Sequence, residues 1–162
     1  MITSNSTAFA KSFEAVQKQI EQKLKNVVRG FAYKVTYEAI QHTPLGNSEQ
    51  YFKMYERRQT LLGLNPEEGF ARGSWQANQS GQFTIQSIYG VSSGSEAYSV
   101  VKTSLGNITL GETIYIGNRG PYIKLLEANH SPQTDNLGIM KPTQAAVMAS
   151  YAIDIQKLYQ GG

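Results

Sequence analysis

The sequence predicts an α+β domain: a long N-terminal helix, a small antiparallel sheet of three to four strands, and a short helix and a C-terminal helix packed on it. Three observations lead there. Apolar residues recur at three- and four-residue steps from about residue 8 to residue 41, the period of one helix face. Between residues 71 and 118, short runs rich in β-branched and aromatic residues are joined by links of turn length, which favours antiparallel pairing. A helical period then returns over residues 140–159. Helices, then strands, then a helix is the order of an α+β fold.

The first helix takes its apolar face from Phe13, Val16, Ile20, Leu24, Val27, Phe31, Val35 and Ala39, with no proline and only Gly30 inside it. About 34 residues at 1.5 Å each reach ~50 Å, longer than the compact diameter of a domain this size. Part of the helix is therefore expected to overhang the core or to pack on another copy, with Gly30 as the point of kinking or close approach. Thr43 and Pro44 stop the helix, because proline disfavours helical geometry at the residue before it. Asn47 as N-cap, with Gln50 three residues on, opens a second helix that runs to about Leu62 and ends at Gly63.

Strands are expected over residues 71–78, which hold the only tryptophan, Trp75, and more weakly over Phe83, Ile85 and Ile88. Two more follow at 96–103 and 112–117. In the last, Ile114 and Ile116 point to one face while Thr113 and Tyr115 point to the other. Residues 117–120 break that strand, and Pro121 opens a short helix over 121–128. Asn129 ends it, as a residue that readily takes left-handed geometry. A polar loop leads to the closing helix, with Met140, Val147, Met148, Tyr151, Ile155 and Leu158 on one side.

Composition narrows the function classes. A chain of 162 residues is most simply one domain, 1–162, with a single core at about 8–45 and 71–159 and an inserted segment at 46–70. Hydrophobic residues at 40% and charged residues at 17%, with no apolar run of spanning length, describe a soluble globular chain. The N-terminus has no apolar core of signal-peptide type. Zero cysteines exclude disulfides, thiolate metal sites and cysteine nucleophiles together. The net charge of +3 comes from residues 1–40, where six basic side chains face three acidic ones. That is thinner than the basic stripe of a nucleic-acid binder. Lys18, Lys25 and Arg29 are its candidates for DNA contact.

Catalytic chemistry finds little footing. His42 and His130 are the only histidines. His130 lies near Ser131 and Asp135, but neighbours in one polar loop are a poor template for a triad, and a loop histidine bonded to backbone is the plainer reading. No histidine or carboxylate spacing of metal-ligand type occurs, so neither metal nor cofactor is expected. The 117–120 turn lacks the spacing and the lysine of a phosphate-binding loop. Ten tyrosines and Trp75 are instead the material of an interaction surface, or in part of the core. The 46–70 segment carries Tyr51, Phe52, Met54, Tyr55, Leu61 and Leu62, too many apolar side chains for a free loop. It is expected to meet a neighbouring subunit, with Tyr51 and Tyr55 on the covered side; packing on its own core is the alternative.

One resemblance adds to this. Thr43-Pro44, Ala71-Arg72-Gly73-Ser74-Trp75, Ile114-Tyr115-Ile116-Gly117-Asn118, Pro121-Tyr122, Leu126-Glu127 and His130-Ser131 occur in that order. The arrangement, over roughly residues 8–159, resembles the small neck and tail-completion proteins of tailed bacteriophages, the head–tail joining and minor tail family. Two departures stand out: 26 residues separate Pro44 from Ala71 where that family has a few, and Ala128-Asn129 replaces its glycine. The resemblance implies a non-enzymatic virion protein, assembled in the host cytoplasm, forming a homo-oligomeric ring in the neck or tail. Its partners would be itself, other neck, portal-adaptor or tail proteins, and DNA passing non-specifically through the channel, with no membrane. Tyr51, Tyr55, Trp75, Arg119 and Tyr122 would then lie at subunit interfaces. The rival readings are a non-specific nucleic-acid binder using the basic first helix, and a small hydrolase centred on His130.

Overall fold

The computed structural model describes residues 3–44, 70–84, 94–120, 123–128 and 137–160. The elements are α1 (Thr3–His42), α2 (Phe70–Gly73), β1 (Trp75–Asn78), α3 (Ser95–Ser104), β2 (Tyr115–Asn118), α4 (Ile123–Glu127) and α5 (Met140–Gln160). The helix expected at 47–62 and the stop at Asn129 lie outside the described residues.

Helix α1 is 40 residues long, or ~60 Å at 1.5 Å per residue. It runs through Gly30 as one helix, and a Cβ at Gly30 would meet nothing within 4 Å, so the expected close approach there is not made. Only its last third docks. Ala32, Thr36, Ala39 and Ile40, followed by Thr43, are the buried positions, a helix face in its own right. Most of this face is not the apolar stripe read from the sequence. The core takes small Ala and Thr side chains, which let α1 approach β1 and α3 closely, and leaves most of the large ones outside. At the C-terminal end of the stripe, Phe31 does find a partner: its ring lies 5.1 Å from that of Tyr151 on α5.

The sheet has two strands among the described residues, not three to four. β1 and β2 pair antiparallel, Trp75 opposite Asn118 and Asn78 opposite Tyr115. The expected strand at 71–78 is therefore half helix, with 70–73 forming the single turn α2. The strand expected at 112–117 begins later and includes Asn118, so the break comes after Gly117 and Asn118. The alternation was placed correctly: Ile114 and Ile116 pack against the core while Tyr115 is 47% exposed.

The largest correction is residues 96–103, expected as a strand and folded as helix α3. Ala97, Val101 and Leu105 are spaced by four and all fully buried. Tertiary burial of that row overrides the β-propensity of Tyr98, Val100, Val101 and Thr103. Of the weak strand expected over Phe83, Ile85 and Ile88, only Phe83 lies within the described residues, and there the chain is not in a strand. The Gln76 amide takes up the Thr84 backbone, its Nε2 donating to the Thr84 carbonyl at 2.5 Å and its Oε1 accepting from the Thr84 N–H at 3.2 Å. Gln79 does the same to Thr109, at 2.8 and 2.9 Å. Amide side chains thus satisfy backbone groups that a further strand would have paired.

Two buried clusters result. One gathers Ala39, Ile40, Ala71, Trp75, Ala97, Leu126 and Ile139. The other gathers Ala32, Ala77, Val101, Leu105 and Ile108, and Ile116 packs against both. Along α5 to residue 152, as far as its side chains are described, the buried positions are Thr143 and Val147, while Met140 and Met148, expected on one side with Val147, are exposed. The α1–α2–α3 junction has no room to spare. Gly94 precedes α3 at φ +73°, and a Cβ there would overlap the Ile40 side chain. We expect Gly94→Ala to destabilise the domain by about 2 kcal/mol or more, from left-handed strain and overpacking together, read as a lower urea midpoint at unchanged slope.

Thr43 sits at the centre of the same junction, wholly buried. Its hydroxyl donates to the Ala39 carbonyl at 2.6 Å and accepts the Trp75 indole N–H at 2.8 Å. Thr43→Val keeps the shape and strands the indole donor. The expected loss is about 1–3 kcal/mol in chemical denaturation, with Thr43→Ser retaining the larger part of the stability.

Candidate functional site

Of the residues that carry the resemblance, those the structure describes are brought together, and what they do is structural; Pro121, Tyr122, His130 and Ser131 lie outside the described residues. Thr43 holds Trp75, as above. Arg72 Nε donates to the Thr43 carbonyl at 2.5 Å; burial pushes its guanidinium below the ordinary arginine range, and the bond to the carbonyl offsets that desolvation. Asn118 Nδ2 donates to the Ala71 carbonyl at 2.6 Å, and its Oδ1 accepts the Gly120 N–H at 2.7 Å. Glu127, the last residue of α4, turns its carboxylate onto the start of α5. It accepts from the N–H of Ile139 at 2.8 Å and of Met140 at 3.1 Å. A negative charge on free N–H groups at a helix start stabilises that helix. These residues join α1, the sheet and α5, and none presents a reactive group to solvent at a shaped cleft.

The expected interface residues divide. Trp75 is 3% exposed within one chain, with its indole nitrogen already bonded, so it belongs to the core and not to a surface. Arg119 is exposed, with Nη1 donating to the Phe83 carbonyl at 3.0 Å. Tyr51, Tyr55 and Tyr122 lie outside the described residues, as does His130. His42 ends α1, with Nε2 3.9 Å from the Glu38 carboxylate. Among the described residues no group of three or more His, Asp or Glu side chains could hold a metal ion. No described helix is long and apolar enough to cross a membrane.

The basic residues of α1 also divide. Lys18 is exposed and Lys25 half-buried. Arg29 is committed within the fold: Nη1 donates to the Gly106 carbonyl at 2.9 Å and Nη2 to Asn26 Oδ1 at 2.7 Å. It ties the helix to the turn after α3. A shallow groove of about 510 Å³ runs there between Gln22, Lys25 and Arg29 and residues 106–109.

The outstanding surface is the overhang of α1. Phe9, Phe13, Val16, Ile20, Leu24 and Val27 are each between 50% and 74% exposed and lie on one helix face. Phe9 extends the sequence-derived stripe by one turn, and its four-residue step to Phe13 is the signal that could have found it. A run of large apolar side chains in water on one face marks an interaction surface. Comparisons with protein-family models, curated proteins and solved structures found no match.

The Glu127 cap is open to a direct test. Glu127→Ala should cost about 1 kcal/mol and loosen α5 on α1, seen as faster hydrogen exchange over the first turn of α5. Glu127→Asp, too short to reach both N–H groups, should behave like the alanine variant.

Proposed function

We propose that this chain is a non-enzymatic structural protein of a tailed-phage particle, one that assembles with its own copies into a ring at the head–tail junction or the top of the tail. The observation that carries the reading is the apolar face of α1, exposed among the described residues, on a domain whose described characteristic residues, Thr43, Arg72, Trp75, Asn118 and Glu127, are spent on holding the fold. Such a division of labour suits a building block, which needs a rigid body and a sticky edge. The resemblance of the motif residues to neck and tail-completion proteins supplies the place in the particle. Arg119, exposed beyond β2, is the described residue of the proposed interface set that remains available to a neighbour. Other neck, portal-adaptor or tail proteins would be its further partners, and the passing DNA would be contacted without sequence preference.

The rival, a nucleic-acid-binding chain using the first helix, is weakened by Arg29, whose guanidinium is already engaged by Gly106 and Asn26. A phosphate binder would keep such a group free.

Two measurements decide between them. Particles purified from the producing host should contain the chain, and particles made without it should separate into DNA-filled heads and free tails. Titration with duplex DNA should give only weak binding that falls steeply between 50 and 200 mM salt, as expected of a purely electrostatic contact. Tight, salt-resistant DNA binding together with absence from particles would move the assignment to the rival.

A further inference from the structure

We infer that the α1 overhang pairs with α1 of a second copy of this chain, parallel and in register, through the seam Phe9, Phe13, Val16, Ile20, Leu24 and Val27. The inference goes beyond the virion reading and does not need it, because it rests on the helix alone; a pair closed on this face would enter a ring as a dimer, with the ring contact made elsewhere on the domain.

The seam repeats by eleven. Phe9 to Ile20, Phe13 to Leu24, Val16 to Val27 and Ile20 to Phe31 are each eleven residues apart. Eleven residues make about three turns at 3.67 per turn, close to the natural winding of a helix. Six apolar side chains therefore stay on one nearly straight line for ~27 Å at 1.5 Å per residue. A stripe that merely skirted a globular core would not need to keep such a period out to Phe9, far beyond the docked third of the helix. The seam ends where Phe31 meets Tyr151 of α5.

Charge at its two edges selects the occupant and its direction. Counting ~100° per residue around the helix, Gln17, Ala10, Val28 and Glu21 border one side of the seam with Glu14 just behind them, and Lys23, Ser12 and Gln19 border the other. Gln17 Nε2 donates to Glu21 Oε1 at 3.0 Å and keeps that carboxylate along the edge. When two such helices lie parallel, opposite edges meet. Glu21 then faces Lys23 of the second copy at nearly the same height, and the symmetry makes the contact twice. When they lie antiparallel about the middle of the seam, like edges meet, and Glu21 faces Glu14 twice. The first arrangement attracts and the second repels. The helix is complementary to itself in one orientation only.

The chain has no cysteine, so a single introduced thiol reports its own neighbour. Val16→Cys and Val27→Cys, each alone, should cross-link to dimer under mild oxidation, since in a parallel pair each position faces itself. If neither cross-links alone and a Phe9→Cys chain joins a Val27→Cys chain, or both of these outcomes fail, the parallel seam is wrong. Light scattering of the full chain should give at least twice the monomer mass at micromolar concentration, and Leu24→Asp should return it to monomer with its far-UV spectrum unchanged. Glu21→Lys or Lys23→Glu alone should weaken association roughly tenfold, the scale of two exposed ion pairs exchanged for repulsion. The double variant should restore it. A wild-type chain that stays monomeric overturns the proposal, whether its seam thiols prove shielded, as under another segment of the same chain, or open to labelling, as on a face awaiting a different protein. Particle incorporation is read separately, so a failed pairing leaves the virion reading to its own test.

Discussion

The fold hangs on one hydroxyl. Thr43 stands where α1 ends, and its side chain is held between the Ala39 carbonyl of the helix and the Trp75 indole of the sheet. That single oxygen settles the angle at which the helix leaves and the depth at which the tryptophan sits. Around it Arg72 fixes the outgoing backbone, and Asn118 closes the strand pair onto α2. A buried polar group with both its bonds made gives a packed interior a unique arrangement, because any shift leaves a donor without a partner. The apolar residues nearby, Ile40, Ala71 and Ala97, could slide past one another; the hydrogen bonds specify where they stop.

The long helix divides its faces between two tasks. Small residues near its C-terminal end, Ala32, Thr36 and Ala39, bring the sheet and α3 close. Large ones further out stay in water. This inverts the usual expectation that the biggest side chains mark the core. It arises because close approach of backbones favours small side chains, while an extended contact with another rod favours large ones in line.

Much of this was legible from the sequence. The helix from about residue 8 to 41, its stop at Thr43-Pro44, the closing helix and the alternation about Tyr115 all follow from period and breakers. The failures have physical causes. In α3, Ala97, Val101 and Leu105 give a helical row, but Tyr98, Val100 and Val101 also suit a strand, and only the depth of the surrounding core decides. At Thr84 and at Thr109 the amides of Gln76 and Gln79 replace backbone partners in a way no hydropathy pattern records. Trp75 had the composition of an interface residue and proved to be interior. The overhang was foreseen from length alone; which face it bares was not, since a stripe in sequence carries no mark of what will cover it.

The uneven docking of α1 also divides its stability along its length. The last third is locked by Ala39, Ile40 and Thr43 and can open only when the domain unfolds. Among the described residues, the outer turns make hydrogen bonds within the helix itself, Gln17 to Glu21 and Gln22 to Asn26 among them. Such a segment gains order by propagation from the anchored end, as a helix grown from a nucleus already formed. One chain thus contains a cooperative unit and, continuous with it, a helix–coil equilibrium. In a chain whose α1 is unpaired, amide protection should fall off turn by turn from Ile40 toward Phe9, so that pairing along the seam is what would fix the tip to the rigid body.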